Sequence, residues 1–174
     1  MTATTTLEPP VLVIGLGNPI LGDDGVGWHV VAEVERRLAG QSEPPPVVVE
    51  RLAVGGLTLM ERLVGAGRVI LVDSIVTSER VPGRVRADCL AGLAGRPAGH
   101  LDSGHDASLS GALDAAAALG ADLPGEVLVV TVEIEPCDTF ADVLSPPVAT
   151  AVPEAADVVV NLLADTLALA ETWR

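Results

Sequence analysis

At 174 residues, 49% of them hydrophobic, the chain is long enough for one domain with a full core. Its formal net charge is −14 and every basic residue is Arg, which argues against nucleic acid or an anionic membrane as partner. Aromatics make up 2% of the chain, too few for stacking on bases or sugars. Cys89 and Cys137 lack CxxC spacing and read as ordinary packed thiols in a reducing cytoplasm. Met1 to Pro10 has neither positive charge nor an apolar centre, so it reads as a disordered tail and not a signal peptide. Residues 11–174 read as a single domain. No stretch reaches the roughly 18 uninterrupted apolar residues of a membrane span.

Val11 to Ile14 is an unbroken aliphatic run, as a strand buried on both faces requires. Trp28, Val31, Val34 and Leu38 then mark an amphipathic helix ending near Gly40, with His29 off the stripe and facing solvent. A second strand starts at Val47–Val49 and reaches the turn Val54-Gly55-Gly56, before a short helix over Leu57–Val64. The third strand spans Arg68–Val72 and is closed by Asp73. Arg84–Ala87 alternates as an edge strand does. Leu90–Leu101 reads as a mobile Gly/Ala/Pro-rich loop, and Asp106 as the N-cap of a helix bearing Leu109, Leu113, Ala116 and Ala117. Glu126–Val132 is the last strand. A long helix, Val148–Leu169, ends the chain, with Val152, Ala155, Val159, Leu162 and Thr166 on its stripe and Pro153 near its start. Strands alternating with helices predict a three-layer α/β/α domain around a mostly parallel, five-stranded twisted sheet.

The loop after the first strand reads Gly15-Leu16-Gly17-Asn18, then Gly22-Asp23-Asp24-Gly25-Val26-Gly27. Ligands gather at the carboxyl ends of strands in open α/β sheets. A loop that cradles phosphate would not carry two adjacent carboxylates, whereas one that meets a cation would. The ends of the first and third strands share that edge, which brings Asp24 and Asp73 together. His105, in the loop before a helix, is the third candidate. Two carboxylates and an imidazole suit Ni, Zn, Mn or Fe(II) with open positions.

The block from Gly15 to Gly27 resembles that of the hydrogenase maturation endopeptidases, which trim a C-terminal extension from the large subunit of nickel–iron hydrogenases. Val69-Ile70-Leu71-Val72-Asp73-Ser74-Ile75, Ser103-Gly104-His105-Asp106, Val132-Glu133-Ile134-Glu135-Pro136 and Leu144-Ser145-Pro146 resemble further blocks of that family. The resemblance covers the chain from Val11 to about Leu169. It implies that Asp24, Asp73 and His105 contact a metal and carry the catalysis. His100 stands close to His105, so the ligand assignment rests on the Ser-Gly-His-Asp block. The metal implied is nickel carried by the substrate, with another divalent ion able to substitute. The implied partner is the hydrogenase large-subunit precursor, met by a chain that is monomeric when free. Asp23 is expected to cap the first helix, with a role as base the alternative. Gly55 and Gly56 are expected to let the substrate backbone approach.

Two other readings use the same residues. One is a dinucleotide-binding domain, with Glu50 as the ribose acid; there the third Gly falls at 22 and Asp23-Asp24 crowd the pyrophosphate position. The other is a non-catalytic maturation factor that binds the nickel-loaded subunit without cutting it.

Overall fold

The computed structural model describes residues 11–42, 45–93, 108–137 and 140–172; the expected tail, His100, His105, Asp106 and most of the expected mobile loop lie outside them. Within these residues five strands form one sheet in the order β2-β1-β3-β5-β4. The strands are β1 (Val11–Leu16), β2 (Val47–Leu52), β3 (Arg68–Ile75), β4 (Val85–Cys89) and β5 (Val127–Glu133). β1 pairs in parallel with β2 and β3, and β3 with β5, while β4 closes one edge antiparallel to β5. The helices are α1 (Val26–Ala39), α2 (Gly56–Leu63), α3 (Leu109–Ala118) and α4 (Pro146–Thr172).

Side chains alternate between the two faces of each strand, and the two cores follow from that. Val11 and Val13 of β1, with Ile70 and Val72 of β3, pack beneath α1 and α4. Leu12, Ile14 and Leu16, with Val69, Leu71 and Ile75, pack beneath α2 and α3. Both faces are covered, which is why these strands read as continuous apolar runs. Each fully buried aliphatic side chain contributes about 2 kcal/mol. Arg37 of α1 forms an ion pair with Asp157 of α4, and the indole N–H of Trp28 donates to the Leu52 carbonyl at 3.2 Å.

Several boundaries differ from expectation. β3 does not stop at Asp73 but runs to Ile75, and β5 continues to Glu133, because both acids are buried and hydrogen-bonded inside the sheet. α3 is capped by Ser108, whose hydroxyl accepts from the Gly111 N–H at 3.2 Å; the expected cap Asp106 lies outside the described residues. The buried stripe of α4 is Val148, Ala151, Ala155, Ala156, Val159, Leu163 and Thr166, with Val152 and Leu162 at its margin. α4 is long and apolar enough to cross a membrane by length and composition alone. Its outward side carries Thr150, Glu154, Asp157, Asn161 and Asp165, and its apolar stripe lies on the core, as in an amphipathic core helix.

Candidate active site

The glycines of the first loop bring backbones to touching distance. A Cβ on Gly15 would stand 2.4 Å from the Gly27 carbonyl oxygen, and one on Gly27 would stand 2.3 Å from that of Leu16 and 2.4 Å from that of Val72. The first turn of α1 therefore rests directly on β1 and β3. Gly17 adopts a φ of +126°, and a Cβ there would meet the Asp24 carbonyl oxygen at 2.0 Å. Asn18 turns the chain by accepting the Ile20 N–H on its own side-chain oxygen at 3.2 Å. Its backbone N–H donates to Asp24 Oδ2 at 2.8 Å. The Gly-x-Gly-Asn signature thus folds the loop back onto the second acid of the pair.

Ser74 joins the two expected acids. Its backbone N–H donates to Asp73 Oδ1 at 2.8 Å, and its hydroxyl donates to Asp24 Oδ1 at 3.3 Å. Asp73 is fully buried and sits opposite Thr131 of β5, while Asp24 is half-buried. By strand alternation Asp73 belongs to the face of α2 and α3 and Ser74 to that of α1, so the pair straddles the carboxyl edge of the sheet. Ser74 was not foreseen from the sequence; the polar residue straight after an apolar run and its acid was the available signal. Both acids offer the hard oxygen donors that divalent first-row ions take. His105 lies outside the described residues, and among the described residues no three His, Cys, Asp or Glu side chains gather closely enough to hold a metal ion.

Asp23 does not cap α1, whose N-cap position has no side-chain hydrogen bond among the described residues. Its carboxylate turns the other way, accepting the Ser145 backbone N–H at 2.6 Å and the Ser145 hydroxyl at 2.7 Å. The Leu-Ser-Pro block at the start of α4 is thereby tied to the acid loop. Two backbone bonds extend the tie, from Gly22 N–H to the Ala141 carbonyl at 2.8 Å and from Ala141 N–H to that of Ile20 at 3.1 Å. Cys137 lies beside this loop, its thiol donating to the Glu135 carbonyl at 3.2 Å. Burial pushes that thiol up from its ordinary value, and the neighbouring Asp23 charge adds to the effect.

Glu133 is a further buried acid near this edge, 1% exposed and paired in register with Ile75. Its Oε1 accepts from the Thr77 hydroxyl at 2.5 Å and the Val81 N–H at 3.0 Å. Among the described residues its Oε2 has no hydrogen-bond partner, and it stands 3.9 Å from Arg84 Nε. Burial works to raise its carboxyl, but the bonds from Thr77 and Val81 and the charges of Arg84 and Arg86 hold it below the ordinary carboxylate range. Gly56 opens α2 with a φ of +51°, which a glycine accepts at little cost.

No protein-family model and no curated protein matches the chain. Solved structures do. It is 23% identical to the hydrogenase maturating endopeptidase HybD of E. coli over 90% of this chain and 93% of that one, with a TM-score of 0.70. The [NiFe] hydrogenase maturation protease HybD of Thermococcus kodakarensis is also 23% identical, over 88% of this chain and 98% of that one, with a TM-score of 0.57. The hydrogenase 2 maturation peptidase of a Thaumarchaeota archaeon is 30% identical over 88% of this chain and 97% of that one, with a TM-score of 0.58. With that identity across nearly the whole of both chains, and the acid loop folded as its signature demands, this chain belongs to the hydrogenase maturation endopeptidases, a class of hydrolases.

Proposed function

We propose that the chain removes the C-terminal extension of a nickel–iron hydrogenase large-subunit precursor after nickel has been inserted. In this reading Asp24, Asp73 and His105 meet the nickel that the precursor carries, and it is recognised before the chain is cut. The observation that supports the reading best is the shared serine: Ser74 hydrogen-bonds to Asp73 through its backbone N–H and to Asp24 through its hydroxyl at the carboxyl edge. Each of the two hydrogen bonds orients one of the carboxylates.

A divalent ion in the substrate supplies Lewis acidity toward the scissile carbonyl. The chain's own part is to position. Asn18 and Ser74 orient the Asp24 carboxylate, and the buried Asp73 keeps its geometry because the sheet surrounds it. Cys89 and Cys137 are both free thiols, which fits work in the reducing cytoplasm. The free enzyme acts as a monomer.

The test is incubation of the purified chain with precursor large subunit, with and without nickel, followed by intact-mass measurement. Release of the C-terminal peptide from the nickel-loaded precursor alone is the expected result. Equal cutting of the nickel-free precursor would overturn the checkpoint, and no cutting of either would overturn the protease reading.

A further inference from the structure

The edge that carries Asp24 also carries apolar side chains that the fold leaves in solvent. Phe140, the chain's one phenylalanine, is 83% exposed, Val143 is 69% exposed and Ile20 is 56% exposed. Ile20, Phe140, Ala141 and Asp142 line a shallow groove. This exposure does not come from a loosely held segment. The bridge between Leu21 and Ala141 and the bonds from Ser145 to Asp23 fasten the segment from Phe140 to Ser145 onto the acid loop at both ends. Holding three large apolar groups in water beside a candidate active site costs solvation free energy that a partner can recover.

We propose that this Ile20–Phe140–Val143 face docks the precursor polypeptide next to its scissile bond, as an extended apolar segment that also bears a basic residue. The inference rests on the chain being the precursor protease and adds the surface and chemistry by which it grips its substrate. Charge argues for the basic residue. The two loops that make the face, 18–24 and 140–145, contain Asp23, Asp24 and Asp142 and no Lys, Arg or His. The same acidity argues against a second copy of this chain, since two such rims would repel one another. An apolar segment covers Phe140 and Val143 while its cation faces Asp142, and this leads the backbone toward Asp24, which follows Leu21 by a single turn.

Calorimetric binding of nickel-loaded precursor large subunit to the full-length chain tests this. The variants are Phe140→Ser, Val143→Ser and Asp142→Asn, with Leu119→Ser as the control, since Leu119 is 88% exposed at the far end of α3. Phe140→Ser and Val143→Ser should each weaken binding about tenfold. Asp142→Asn should weaken it about threefold at low salt, with the difference fading as salt is raised. Leu119→Ser should bind as wild type, and all four should melt with the wild type. Wild-type affinity in both Phe140→Ser and Val143→Ser, with precursor still bound and cut, would overturn this inference and leave the protease reading standing. A wild-type chain that neither binds nor cuts the precursor would overturn both. A concentration-dependent dimer abolished by Phe140→Ser, with precursor binding unchanged, would assign the face to a second copy and overturn the proposal.

Discussion

Asp23 grips Ser145 with both carboxylate oxygens, at 2.6 Å to the backbone N–H and 2.7 Å to the hydroxyl. One acid of the first loop thereby fixes where the last helix begins. Asp23→Ala removes two charge-assisted hydrogen bonds at a site 8% exposed to solvent. It should lower stability by about 3 kcal/mol, read as a smaller urea midpoint with an unchanged slope. Unchanged stability would mean that the contact carries little of the fold.

Gly27 lets α1 lie against two strands at once. A Cβ there meets backbone oxygens of Leu16 and Val72, neither of which can rotate away as a side chain can. Gly27→Ala should therefore cost about 3 kcal/mol, although alanine favours helices more than glycine does. Urea unfolding checks the sign, and a stabilised variant would contradict the packing described.

Glu133 sets a dependence on acid. Its folded value lies below its unfolded one, so its contribution is present above about pH 4.3 and is lost as pH falls through the folded value. Glu133→Gln should be less stable than wild type at pH 7 by about 1–3 kcal/mol, and the gap should narrow on acidification. Urea unfolding of both proteins at pH 7 and pH 4 measures it. A gap that stays constant would place the loss in packing alone.

The proposed mechanism gives Cys137 no role in cutting. Burial keeps its thiol protonated at neutral pH, so it should alkylate more slowly than the exposed Cys89. Cys137→Ser should cleave precursor at the wild-type rate. A dead variant would make it a participant in the reaction.

Much of the fold is legible because period and composition speak locally. β1, α1, β2 and α2 each announce themselves through apolar runs or stripes and glycine stops. The errors share one cause. Asp73 and Glu133 look like strand ends because acids seldom sit inside buried strands, yet Ser74 and Thr77 donate hydrogen bonds to them there. Asp23 looks like a helix cap because its actual partner stands 122 positions away. The sequence pairs Asp24 with Asp73 through strand order alone, and β1 and β3 are neighbours in the sheet. It shows Ser74 only as a polar residue after Asp73 and gives no sign of the groove beside Phe140, since the bridge and the groove both depend on distant segments meeting.

The measurement that bears most directly on the site is the cleavage rate of nickel-loaded precursor by Asp24→Asn, Asp73→Asn and His105→Ala, read by intact mass beside the melting curve of each. Each variant should melt as a folded protein and cut about 100-fold more slowly than wild type, or worse. A folded variant of any of the three that cuts at the wild-type rate would contradict its place in the site.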